Sequence, residues 1–308
     1  MQLIGSIIMN IITPVFILIG VGAFLHRKFK FDLNTLSKLT TYLLLPVIGF
    51  VNIYESRISA EMLLSIIFFW ACQSVSLIFL TEGVARIFKF DKKLASTYKN
   101  SVVLNNSGNF GLPVSQLVFV GNPVGQSIQI LMMVFQNLLT YTYGLINSIS
   151  ANTTDFRGIL KEFLKIPILY ALLLGLILHA FSIPLPDFLW NPINSVADAF
   201  LAVALITLGA QSAYLKFHKL SLPLVLSLSG RLIISPAVAL VIIFALKLDG
   251  TLAQGLLIAS SFPSSRNSAL FALEYNNYPE YAAQTVIIST IASSVTVTFV
   301  VYLSKVLF

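Results

Sequence analysis

Apolar residues gather into ten long runs separated by short polar stretches, near 3–25, 36–54, 62–84, 98–120, 124–148, 164–181, 193–215, 222–246, 251–274 and 280–306. Each approaches the roughly 20 residues that a helix needs to cross a bilayer core. The second is the weakest, because Lys38, Thr40 and Thr41 dilute its start and Pro46 interrupts it. The pattern predicts an all-α integral membrane protein of ten transmembrane helices. The run from Leu3 to Leu25 lacks a basic start, is too long for a signal peptide and meets His26-Arg27-Lys28, so it is expected to stay as the first span.

Composition agrees: 57% of the 308 residues are hydrophobic and 10% charged, against roughly 25% charged in soluble domains. A soluble fold would need a polar coat that this chain does not have. The longest connections, around 85–97 and 149–163, leave no room for an attached signalling module.

The net charge of +7 points to membrane orientation and not to nucleic acid, because the basic residues sit in short loops. Fourteen of the 19 lie in odd-numbered connections: Arg27, Lys28, Lys30, Lys38, Arg86, Lys89, Lys92, Lys93, Lys99, Arg157, Lys161, Lys165, Lys216 and Lys219. Only Arg57, Lys247 and Lys305 fall on the other side. Both termini are therefore expected to be extracytoplasmic in a multi-pass protein of the cell membrane. Arg231 and Arg266 remain, inside spans.

The chain repeats. Pro14, Gly22, Leu25 and His26 in the first span recur as Pro167, Gly175, Leu178 and His179 in the sixth. The fourth and ninth spans each carry a polar, proline-containing interruption, Asn105 to Pro113 and Ser260 to Ser268, followed by Asn122-Pro123 or Tyr278-Pro279 at the next helix start. Five spans per half is odd, so residues 1–150 and 151–308 are expected to enter the membrane in opposite senses. Arg27, Lys28 and Lys30 follow His26, whereas no basic residue directly follows His179. Both histidines read as helix-end residues at the interface.

In the first interruption Pro113 lacks an amide donor and crowds the Asn109 carbonyl, while Gly108 and Gly111 weaken the helix. Unwound backbone at bilayer depth is tolerated only where it is buried in protein or lines a cavity. Asn105, Asn106, Ser107 and Asn109 supply donors and acceptors there, and Ser264, Arg266 and Asn267 do so beside Pro263 in the second interruption. An intramembrane arginine costs at least about 2.5 kcal/mol, so it pairs, faces water or serves function. Half-helix N-termini add positive potential, which favours a carboxylate. Arg231 is expected to pair with Asp198 or to reach toward the interface, with substrate contact as the alternative.

Three histidines, the single Cys72 and no paired carboxylates at mid-depth give no enzyme, cofactor or metal centre. A cation/proton antiporter normally needs a carboxylate at its broken helices, and neither interruption has one; an anion channel is the other alternative. Sodium or proton coupling stays open.

These motifs resemble the auxin efflux carrier family in its short prokaryotic form. Asn106 to Pro113 is similar to the family's Asn-x4-Gly-x-Pro signature, and Gln136-Asn137 to the polar pair after it. Phe262 to Thr285 and Ala204 to Gln211 are also similar to family segments. The resemblance implies crossing broken helices 4 and 9, a scaffold of helices 1, 2, 6 and 7, and a transport domain of helices 3–5 and 8–10. It also implies elevator-type transport of organic anions such as auxin, malate or malonate, often by homodimers joined through the scaffold, with lipid as surroundings. Asn106 would contact the substrate carboxylate, with Gln136 near it, and Pro113 and Pro263 would shape the crossing. Asn105 and Ser268 stand where plant-type members carry proline, and Arg266 where the family often has a small or apolar residue.

Overall fold

The computed structural model describes residues 2–55, 59–149, 167–213 and 220–308. The orientation expectation rests partly on Arg57, Arg157, Lys161, Lys165, Lys216 and Lys219, which lie outside the described residues, as do 164–166 of the sixth run.

Among the described residues the chain is helical, its only β feature an isolated bridge. Helices α1 (Gln2–Phe29), α2 (Leu33–Tyr54) and α3 (Ala60–Ile87) come first. They are followed by α4 (Lys92–Val103), α5 (Leu112–Val118) and α6 (Pro123–Leu139). After α7 (Pro167–Ala180) and α8 (Asp187–Ser212) come α9 (Leu222–Ala245), α10 (Gly250–Ser260), α11 (Arg266–Glu274) and α12 (Pro279–Leu307). By length and composition, six of them can cross a membrane: α1, α2, α3, α8, α9 and α12.

The other four expected spans take different forms. The fourth and ninth are each split in two, α4 from α5 and α10 from α11. The fifth carries Gln126, Gln129, Gln136 and Asn137 in α6 and then continues through a π-helical turn, Thr140–Gly144. The sixth enters the described structure only at Pro167.

The most extensive helix pairings are α1 with α8 and α2 with α7. Both are close backbone approaches at glycine. A Cβ on Gly22 would sit 2.1 Å from the Ile206 carbonyl oxygen, and one on Gly209 only 1.9 Å from that of Ile19. In the second pair, Gly175 meets Phe50 and Gly49 meets Ile168. Small residues at such seams let membrane helices gain packing where lipid gives no hydrophobic drive. Among the other helices α3 packs against α4 and α9, and α10 against α6, α9 and α12. Gln129 on α6 fixes one of these contacts by donating to the Gly255 carbonyl at 2.6 Å.

Left-handed residues mark helix ends in both halves at near-constant chain separation. Lys30 follows α1 and Ser182 follows α7; Lys89 follows α3 and Lys247 follows α9; Gly121 follows α5 and Asn276 follows α11. Such residues close a helix by letting its last carbonyls bond back. The same closing device thus recurs in both halves of the chain. His179 receives a local contact, its Nδ1 lying 2.8 Å from the Tyr54 carbonyl oxygen at the end of α2.

Candidate functional site

The split helices meet each other. Antiparallel bridging joins Asn105 to Ser264: the Asn106 amide donates to the Pro263 carbonyl and the Ser265 amide to the Leu104 carbonyl, both at 2.8 Å. The interruption in the first half is therefore Leu104–Asn106, N-terminal to the glycines and proline that the sequence singles out. Ser107–Gly111 forms a π-helical turn that leads into α5, and Pro113 sits in the first turn of that helix. The helix has already begun by then, since the Gly111 amide donates to the Asn106 carbonyl and the Leu112 amide to that of Ser107, so it is the π-helical turn just before Pro113 that accommodates the missing donor. In the second half Pro263 lies in the break itself, between α10 and the Ser265 cap of α11.

A helix that ends at membrane depth leaves carbonyls needing donors. Those of α4 find them one by one. Ser264 Oγ donates to the Ser101 carbonyl at 2.7 Å, an Arg231 guanidinium nitrogen to that of Val102 at 2.7 Å, and Gln136 to that of Val103 at 3.3 Å. The end of α10 is served likewise. Asn105 donates to the Ala259 carbonyl at 3.2 Å, while Ser235 at 2.9 Å and the second guanidinium nitrogen of Arg231 donate to that of Ser260.

The opposite ends of the crossing, the starts of the π turn before α5 and of α11, open on a cavity of about 230 Å³. Asn105, Asn106, Ser107, Gly108 and Asn109 line it from the first break, and Ser265, Arg266 and Asn267 from the second. Met133, Gln136, Asn137 and Tyr141 close it from α6 and the turn beyond. Thr41, Tyr42 and Leu45 of α2 and Pro167 of α7 complete it. No lining residue among the described ones is acidic.

Three donors stand out. The Asn106 side-chain amide is buried with no hydrogen-bond partner among the described residues, and the turn that follows has no side-chain cap. Arg266 is partly buried, 3.4 Å from the Ser37 hydroxyl, and pairs with no carboxylate among the described residues. The third is the start of the π turn, whose first amides lack intrahelical acceptors. Helix N-termini and a guanidinium together make a positive, donor-rich wall.

Of the residues expected around a ligand, Asn105, Asn106, Ser107, Asn109, Gln136, Arg266 and Asn267 line the cavity, whereas Ser264 does not. Ser264 is fully buried, its amide donating to the Ser289 hydroxyl at 3.1 Å and its own hydroxyl committed to α4. Gly108 lines the cavity with nothing crowding it, while Gly111 serves packing. A Cβ on Gly111 would fall 2.4 Å from the Phe262 ring, which stacks edge-on against Phe110. Gly111 has ordinary right-handed helical angles, so close approach and not backbone freedom explains it.

Arg231 departs from expectation. Asp198 is exposed and no ion pair joins the two; Arg231 instead turns inward to the ends of α4 and α10 and to Ser235. The sequence reading also missed Thr41, Tyr42, Ser265 and Tyr141 as cavity residues. Their signal was present in part: the polar start of the second span, taken as weak hydrophobicity, forms a cavity wall.

The membrane transport protein family matches residues 7–301 of the chain. An uncharacterized transporter of Methanocaldococcus jannaschii is 27% identical over 296 residues, covering 92% of this chain and 94% of the relative. These are transporters and not enzymes. Matched over almost its whole length and carrying the Asn106-to-Pro113 signature beside the cavity, the chain belongs to the auxin efflux carrier family of membrane transport proteins.

Proposed function

We propose that the protein is a secondary carrier of a small organic anion, seated where the two broken helices cross. The observation that carries this reading is the Arg266 guanidinium, without a carboxylate partner among the described residues, facing the same cavity as the bare start of the π turn and the Asn106 amide, itself without a partner among them. A carboxylate is the ligand that satisfies all three, by accepting charge-assisted bonds. Among the described residues the lining holds Arg266 and no acidic side chain, which favours an anion over a cation.

Two inverted five-helix repeats, 1–150 and 151–308, account for the paired breaks and the matching left-handed helix ends. α1, α2, α7 and α8 serve as scaffold; the other helices, carrying the crossing, move against it as an elevator. The closeness of the α1–α8 and α2–α7 seams supports the first part. The cavity's position supports the second, because its walls come from the crossing on one side and from Thr41, Tyr42, Leu45 and Pro167 on the other. Sliding one group past the other would expose the cavity to alternate sides. Two copies associate through the scaffold in the cell membrane, with both termini extracytoplasmic.

The test is uptake into proteoliposomes with a panel of mono- and dicarboxylates, sodium and proton gradients being imposed separately. Saturable uptake accelerated by unlabelled anion on the far side is expected. Uptake of none of the panel refutes the anion assignment, and non-saturable flux without counterflow refutes a carrier in favour of a pore.

A further inference from the structure

Arg231 is 1% exposed, the largest fully buried side chain in the described structure, and it lines no part of the cavity. It lies in a π-helical turn of α9, Gly230–Ile234, packed against α4 where Gly230 leaves room for Val102. Its two terminal nitrogens reach the carbonyls of Val102 and Ser260, one in the last turn of each half-helix that stops at the crossing.

That placement has an electrostatic meaning. Each helix end carries about half an elementary charge, negative at the C-terminus and positive at the N-terminus. Two C-termini and two N-termini meet at the crossing, so their fields largely cancel in the cavity. A cation bonded to both C-terminal ends removes the negative half of that sum. The N-terminal halves and Arg266 are then left to set the sign felt by a ligand. Lysine is a poor substitute for the first task, because a point charge lacks the planar fork that spans two carbonyls.

We propose that Arg231 is a positioning residue that clamps the C-terminal ends of α4 and α10 and neutralises them, thereby setting anion affinity without touching the anion. The affinity part rests on the carrier reading above; the clamping part does not.

The experiment compares wild type, Arg231→Gln and Arg231→Lys by two readouts, amide hydrogen exchange without substrate and carboxylate uptake in proteoliposomes. Exchange at 104–106 and 261–265 should be about tenfold faster in both variants, while the α1–α8 seam stays protected. The KM for carboxylates should rise on the order of tenfold in Arg231→Gln, the scale of one charge acting over about 10 Å at an effective dielectric near 20. Arg231→Lys should recover most of the KM but not the exchange protection, a split that loss of fold would not produce. Wild-type exchange at both breaks in either variant overturns the clamp, and this arm serves alone if Arg231→Gln does not insert. Wild-type KM in an inserted Arg231→Gln overturns the electrostatic part. Failure of the wild type itself to carry carboxylates would count against the proposed function and leave the exchange result standing.

Discussion

Replacing Arg266 by alanine should weaken anion handling while leaving insertion intact. The guanidinium pairs with no carboxylate among the described residues and makes one long contact, 3.4 Å to Ser37, so its removal orphans little inside the protein. A ligand carboxylate about 5 Å away would interact with it by roughly 3 kcal/mol at an effective dielectric near 20. The side chain is only partly buried, and solvent screening reduces this to about 2 kcal/mol. The KM for carboxylate uptake should then rise about 30-fold. Arg266→Lys should recover part of it, keeping the charge but not bidentate geometry. Uptake by purified, reconstituted variants gives the number, with thermal unfolding in detergent as the control for integrity. An inserted Arg266→Ala protein with unchanged KM would remove Arg266 from the site.

Gly111→Ala should slow or abolish transport, because its methyl must displace the Phe262 ring at the crossing, while Gly108→Ala should leave stability nearly unchanged; equal thermal stability of the two variants would contradict the packing assignment. Gly209→Val should lower stability by at least about 2 kcal/mol, since its side chain meets the Ile19 backbone, which has no rotamer with which to yield; detergent melting curves measure this. Asp91 caps α4 by accepting from the Lys93 and Leu94 amides and from Tyr278, and these bonds hold its pKa below the ordinary 3.8. A depressed folded pKa means the stabilisation is complete above the unfolded value and is lost as pH falls through the folded one, so Asp91→Ala should flatten the stability profile below about pH 4. A cysteine at Lys92, in a background with Cys72 replaced, should label from the cytoplasmic side only; ready labelling from outside would reverse the orientation.

Much of the cavity lining was legible because membranes make polarity informative. Asn105, Asn106 and Arg266 stand out in an apolar chain, since every donor at depth needs a reason to be there. Ser264 was as conspicuous yet performs a structural task, because serine serves a helix end as readily as a ligand. Arg231 was visible as an anomaly but not interpretable: its partners are backbone carbonyls more than a hundred residues upstream and about thirty downstream, and carbonyls leave no mark in a sequence.

The sequence alone determined that the chain is helical and membrane-embedded, and where its polar interruptions fall, because hydrophobic run length and the placement of polar residues are properties of consecutive residues. Only the tertiary structure decided where the helices break, since Pro113 is accommodated behind a π-helical turn and the unwinding falls at Leu104–Asn106. It alone also separated the donors that face the cavity from those that fasten helix ends. Which carbonyl a side chain meets depends on distant segments brought together, a relation that periodicity along the chain does not encode.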